Sequence, residues 1–392
     1  MSAGRKIEEL VIWHEFDGPG DTSVEVLEEI GRMYEARCGI RVRAEAMSIA
    51  DLGRRLTRLP EDGTGPDMAM VPSDMANYWE AARLSEVDAE ALEGIATASA
   101  LDTMRIGGRL FGVPVLMGNH LVLYVNKTHY PELPQDWEEL EREALRLREA
   151  GIIPLGIDLG QAYNFIPFLT AFGGWPMEEG RVSLDTDAVE QALAFLRRGL
   201  ASGKIASLDG ATTLLERFSE GHIGAIVTGE WIYNYLNRRL GDRLAVSAIP
   251  AIGGRRAVSM CSSIGLIFPC GSLSSPRGAA LRAYAAFMLS DECQRLWSDR
   301  VQRIPASIAA LQQIESAGSA NKRRLIEQLR ASRPMPVSPY MIAGWVGMEE
   351  GLRRLPEDGA ALARAAMQER ARAVMAEVDD YVDQLKKGAS FV

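Results

Sequence analysis

Nowhere in the 392 residues is there the run of about 20 apolar side chains that a membrane helix requires. Met1–Lys6 (MSAGRK) has no apolar core of a secretory signal either. The chain is therefore cytoplasmic, or its leader lies outside this sequence. Cysteine is scarce: Cys38, Cys261, Cys270 and Cys293 show neither CxxC spacing nor a following histidine cluster, which removes the usual zinc and redox motifs. Cys261 and Cys270 are close enough to face each other across a strand end, although single buried thiols are the plainer reading. The four histidines, His14, His120, His129 and His222, are scattered. His14 beside Glu15 lacks an i,i+4 histidine partner, so a hydrogen-bonded loop histidine is expected there and no metal site. Positive charge is short as well. A net charge of −10 repels nucleic acid and anionic headgroups, and Lys322-Arg323-Arg324 in helical surroundings reads as a solvated face. No GxSxG occurs, and DGTGPD at 62–67 lacks the Gly-Lys-Ser/Thr ending of a phosphate loop, which excludes esterase-elbow and P-loop chemistry.

What is present is an ordinary globular composition, 47% apolar and 24% charged, on a chain longer than one core usually supports. Two lobes follow. The stretch Leu110–Thr128 marks the first crossover between them: Val113–Met117 and Leu121–Val125 are short apolar strands, and Gly118-Asn119-His120 is a polar break between two cores. Such a break aims Asn119 and His120 at whatever lies there.

In chain order, Leu10–Trp13 is a strand followed by the loop His14–Thr22, and Ser23 is placed to cap a helix running through Tyr34. Ile40–Ala44 is a strand, Asp51 caps a helix to Leu59, Pro60–Pro66 is a loop, and Asp67–Val71 is a strand. This strand–helix rhythm predicts α/β architecture with parallel sheets, whose ligands bind beyond the carboxyl ends of strands. Glu15 and Asp17 follow the first strand and Asp74 the third. Later, Asp136 caps Trp137–Ala150, Asp158–Asn164 is a loop carrying Tyr163, and the strand Ile223–Val227 turns at Gly229 into a helix opening with Glu230 and Trp231. Ser259–Phe268 reads as a returning strand and Arg303–Ser307 as a loop, and Trp345 sits just inside a helix after the Pro-rich Arg333–Pro339.

WHEFDG at 13–18, GTGPDMAMVPSD at 63–74, LYVNK at 123–127, PQDWEEL at 134–140, FSEGHIGAIVTGEW at 218–231 and MPVSPYMIAGW at 335–345 fall in one order. That order and spacing resemble the extracellular solute-binding proteins of ABC importers, in particular the maltose- and maltodextrin-binding type, over nearly the whole chain. The resemblance implies a two-lobed, hinge-connected fold of the type II periplasmic binding proteins. The first lobe is expected at 1–117 plus 264–312, and the second at 118–263 plus 313–392. It implies capture of a carbohydrate, a neutral mono- or oligosaccharide, by hinge closure, with the importer's membrane subunits as partners. A monomer without cofactor or catalysis is expected, outside the cytoplasm or lipid-anchored as a lipoprotein.

On the family's ligand positions fall Asp74, Tyr163, Trp231 and Trp345. Met75 stands where maltose binders carry an arginine, Val71 replaces an aromatic and Asn119 a glutamate, so the resemblance does not fix maltose. The chemistry of the residues agrees with a sugar. Glu15, Asp17 and Asp74 suit its hydroxyl edge, and Tyr163, Trp231 and Trp345 its C–H face, with Asn119 and His120 at the crossover. Two alternatives stay open: a cytoplasmic ligand sensor of the same fold, and a glycoside hydrolase using Glu15 with Asp17 or Asp74.

Overall fold

The computed structural model describes residues 7–62 and 65–389. The segment Met1–Lys6, on which the reading of the leader turned, lies outside them, as do Gly63 and Thr64. The fold is mixed α/β, and the chain divides into two compact units. The first comprises Met1–His120, Glu230–Tyr235 and Cys261–Leu329; the second comprises Leu121–Gly229, Leu236–Met260 and Arg330–Val392. Four segments fall differently from the sequence expectation: residues 118–120, 230–235, 261–263 and 313–329 belong with the first unit, the second of them tied there by Asn234 to Thr22 and by Glu230 to Arg303.

In the first unit, β1 (Glu9–His14) is the hub of a parallel set, paired on one side with β2 (Arg41–Ala46) and on the other with β3 (Met68–Pro72). Helices α1 (Ser23–Cys38) and α2 (Ile49–Asp62) make the crossovers. Beyond β3 the sheet turns antiparallel through Met260–Ile267, Val113–Gly118 and the short strand Ile304–Pro305. The core is a continuous layer of fully buried aliphatics, among them Leu10, Ile12, Leu52, Met68 and Leu266, with Trp297 enclosed beside them.

Three local expectations are corrected. Ser23 does not cap α1; its own N–H is taken by Asp21 Oδ1 at 2.8 Å, which frees its hydroxyl for another partner. Residues 60–62 extend α2, because proline's fixed φ is already helical and costs only one bond so near a helix end. Arg303–Ser307 is no simple loop: Ile304–Pro305 is an edge strand, the place in a sheet where a missing N–H does no harm, and Ser307 caps the helix Ile308–Ala317.

The second unit is built on Ile205–Ser207, Ile153–Ile157 and Ile223–Gly229, all parallel, extended by the antiparallel Leu121–Asn126 and Leu244–Ser247. Asp136 caps Trp137–Glu149 by accepting the Glu139 N–H at 2.8 Å. The C-terminal helices Met341–Asp358 and Ala360–Ala389 pack closely because Gly347 and Gly351, one turn apart, leave room for the facing backbone. A Cβ on Gly351 would meet Met367 Cγ and lie 2.7 Å from the Ala363 carbonyl oxygen. Gly351→Ala should therefore destabilise by about 1–3 kcal/mol despite alanine's higher helix propensity. Urea unfolding monitored in the second unit checks this, and a stabilised variant would show that the helices separate freely.

Candidate functional site

Each unit presents its own cluster beyond the carboxyl ends of its parallel strands. In the first unit, β1 ends in His14, whose imidazole is buried and accepts the Phe16 N–H through Nδ1 at 3.2 Å. Burial lowers the His14 pKa, so the ring stays neutral as a structural acceptor. The chain then turns tightly, Asp17 N–H to Glu15 C=O at 2.7 Å, leaving Glu15 partly buried and Asp17 exposed. Asp74 lies in the 3-10 turn Ser73–Tyr78 after β3, also partly buried.

Glu15 and Asp74 are held at raised pKa. Burial pushes Glu15 well above the usual carboxylate range, and Asp21, Asp74 and Asp17 add repulsion while Arg303 opposes it. Burial likewise pushes Asp74 up to about 6, against the pull of its own N–H and that of Met75. Such a carboxyl accepts hydrogen bonds when ionised and also donates one when protonated, and a hydroxyl group can answer either form.

Arg303, Glu230 and Asp21 complete this cluster, and the sequence reading missed their part in it. Arg303 is 2% exposed and Glu230 1%, with Nη2 to Oε1 at 3.2 Å; Arg303 Nη1 lies 3.6 Å from Asp21 Oδ2. Glu230 Oε1 also accepts the Asn119 N–H at 3.2 Å, and burial raises its pKa against the pull of Arg303. Asn119 itself is left-handed (φ 49°), and its side-chain amide donates to Ser262 Oγ at 2.9 Å. His120 is wholly enclosed. Its Nε2 is 3.0 Å from the Leu325 carbonyl, and burial pushes its pKa down to about 3, so it serves packing as a neutral ring and faces no open surface of its unit.

Trp231 also sits in this unit, not in the second lobe to which the sequence reading gave residues 118–263. It is partly exposed, on a turn anchored by Glu230 and by Asn234, whose Nδ2 donates to Thr22 Oγ1 at 2.7 Å. The structure thus gathers Glu15, Asp17, Asp74, Asn119 and Trp231 onto one end of the first unit.

In the second unit, Tyr163 follows the strand Ile153–Ile157 on the turn Ala162–Phe165. Asn164 Nδ2 closes that loop onto the Asp158 carbonyl at 2.7 Å. The Tyr163 hydroxyl donates to the Met260 carbonyl at 3.1 Å, which leaves its ring face turned toward Trp345, centroids 5.7 Å apart and planes tilted by 52°. Both rings are partly exposed. Trp175, on the far side of the helix Ile166–Ala171, carries the Arg333 guanidinium 4.0 Å above its ring. Among the described residues no group of three or more metal-ligating side chains is gathered, and no helix is long and apolar enough to cross a membrane. Cys261 is buried and Cys270 exposed, and neither forms a disulfide.

Residues 29–322, three quarters of the chain, match the family described as bacterial extracellular solute-binding protein. The chain belongs to this family. Among similar proteins, a galactooligosaccharide-binding protein of Bacillus subtilis (strain 168) is 19% identical over 366 residues, 89% of this chain and 84% of its own. A maltooligosaccharide ABC transporter solute-binding lipoprotein of Streptococcus pneumoniae (strain ATCC BAA-255 / R6) is 22% identical over 340 residues, 81% of this chain and 78% of its own. These relatives are binding proteins by name.

The raised pKa of Asp74 has a definite sign. Ionising a carboxyl whose folded pKa exceeds its ordinary 3.8 costs stability, so the penalty appears as pH rises past about 4 and is complete above about 6. Asp74→Asn should be more stable than the parent protein by about 1–2 kcal/mol near pH 8, discounted for partial exposure, and equal to it below about pH 4. Urea unfolding across that range checks this; a gap independent of pH would mean the asparagine acts through packing.

Proposed function

We propose that this protein is the substrate-binding component of an ABC importer and captures a neutral oligosaccharide or monosaccharide. The observation that carries the reading is the pairing of hydroxyl acceptors with a partly exposed ring on one unit: Glu15, Asp17 and Asp74 beyond the strand ends, and Trp231 tied to the same loop through Asn234 and Thr22. The Tyr163–Trp345 pair supplies a second aromatic surface for the C–H face of a sugar. The names of the relatives, one for galactooligosaccharide and one for maltooligosaccharide, support a carbohydrate and an oligosaccharide in particular. Closure of the units about the ligand is the state the importer's membrane subunits would read, since contacts made only in the closed form shift the population toward it. The protein works as a monomer outside the cytoplasm in this reading, and the lipoprotein relative supports a lipid anchor.

No catalysis is part of the proposal. No activated nucleophile accompanies the carboxyls, and Glu15 with raised pKa faces other acids and Arg303 instead of a defined base partner. Prolonged incubation with a bound sugar should return it unchanged. Turnover that disappears in Glu15→Gln would place the protein among the glycoside hydrolases.

A thermal-shift and calorimetric panel of mono-, malto- and galactooligosaccharides tests the ligand class, because a sugar at one hundred times its dissociation constant stabilises by about 2.7 kcal/mol. With the sugar that binds, Trp231→Ala and Trp345→Ala should each weaken binding at least about tenfold, ~1.4 kcal/mol, while the ligand-free proteins melt close to wild type. Melting that collapses together with binding would make these rings core residues, for which truncation typically costs ~3–5 kcal/mol.

A further inference from the structure

Arg303 is a long cationic side chain almost completely enclosed, 2% exposed, and held in place by its backbone N–H on the Trp297 carbonyl at 2.9 Å. Its guanidinium reaches two different parts of the unit. Nη1 donates to Ser23 Oγ at 2.8 Å and lies 3.6 Å from Asp21 Oδ2, both on the stretch that follows Glu15 and Asp17. Nη2 lies 3.2 Å from Glu230 Oε1, at the head of the stretch that carries Trp231. Through Glu230 the same charge reaches the Asn119 N–H, and the Glu230 N–H in turn donates to the His120 carbonyl at 2.9 Å. The fit is close, since a Cβ on Gly118 would lie 2.6 Å from Glu230 Oε1.

A guanidinium so enclosed is tolerated only while its charge is answered; its Nε and Nη2 have no hydrogen-bond partner among the described residues, so Glu230 answers it as an ion pair. The positions of Asp21, Ser23 and Glu230 are therefore not independent of one another. We infer that Arg303 is a positioning residue for the acidic half-site: it fixes the loop carrying Glu15 and Asp17 and the segment carrying Trp231 in one arrangement, and links both to the chain's first passage at Asn119 and His120. This use of the half-site rests on the carbohydrate reading, whereas the linkage itself does not.

Charge alone distinguishes this role from packing. Asp21, Arg303, Asp74 and Asp17 face Glu15, and Arg303, Asp21 and the Asn119 N–H face Glu230; Arg303 is the one cation in either set. Removing it leaves Glu15 with repulsion and burial and Glu230 with the Asn119 N–H alone against them, so the variant's folded state holds more protons than wild type. The wild-type advantage should then grow as pH rises from about 4 to 7, whereas a packing defect is the same at every pH.

The test uses the ligand-free full chain. Hydrogen exchange read by mass spectrometry compares wild type with Arg303→Met, Arg303→Lys and Glu230→Gln. Arg303→Met should exchange at least about tenfold faster in peptides covering 15–23, 118–121 and 230–235, with the sheet of the second unit unchanged. Glu230→Gln should loosen 118–121 and 230–235 but not 15–23, and Arg303→Lys should recover part of the protection. Should Arg303→Met fail to fold, the same pattern in the other two variants carries the inference. Uniform loosening of the first unit, wild-type exchange at all three segments, or a stability loss independent of pH would overturn it. A final arm titrates maltotriose into wild type and Arg303→Lys. Weaker binding by the lysine variant, with wild-type exchange in the second unit, supports positioning, and equal binding overturns it. If wild type binds no sugar of the panel, the carbohydrate reading fails while the exchange result stands.

Discussion

Enclosing a charge in protein is costly, and the first unit does so where its parallel strands end. The Arg303 guanidinium is answered by Asp21, Glu230 and the Ser23 hydroxyl, and those three residues come from stretches separated by about two hundred positions of sequence. Each of them sits where it does because the cation is there, and the cation is held by an edge strand whose proline needs no partner for its nitrogen. The shape of the acidic end, including the backbone of Asn119 in its left-handed conformation, follows from this one exchange of charge.

The ligand chemistry follows from the same desolvation. Glu15 and Asp74 hold their protons more tightly than free carboxyls, and Arg303 restrains this at Glu15. Such groups accept hydrogen bonds from hydroxyls when ionised and also donate when protonated, and an acidic surface of that sort disfavours an anionic solute. The second unit contributes aromatic surface instead, with the Tyr163 hydroxyl spent on a backbone carbonyl so that its ring remains as the working surface. Each unit thus carries aromatic surface of its own, Trp231 beside the carboxyls in the first and the Tyr163–Trp345 pair in the second.

The α/β class was legible because Leu10–Trp13, Asp67–Val71 and Ile223–Val227 are unbroken apolar runs next to helices of clear period, and Asp136 and Gly151 punctuate one of those helices plainly. The carboxylates after strand ends were legible for the same reason. Arg303 was not, since in VQRIPAS nothing local separates an enclosed arginine from a solvated one; burial of a charge depends on partners that the sequence keeps far away. His120 misled in the opposite direction: a polar residue in a break between apolar strands reads as exposed, yet the ring is buried with its Nε2 against the Leu325 carbonyl, more than two hundred residues on. Trp231 was read correctly as lying past a strand end but was given to the wrong unit, because the chain passes over between Gly229 and Glu230, within what looks like one strand–turn–helix.

All four cysteines fall in the first unit, Cys38 and Cys270 at its surface and Cys261 and Cys293 inside it. Burial pushes the two interior thiols up to about 11, so they stay protonated and unreactive while the unit is closed around them. The molecule therefore carries a built-in clock for one half of itself. Alkylation of the surface pair sets the baseline, and any later uptake of reagent records the breathing of the first unit alone, with the thiol-free second unit silent throughout.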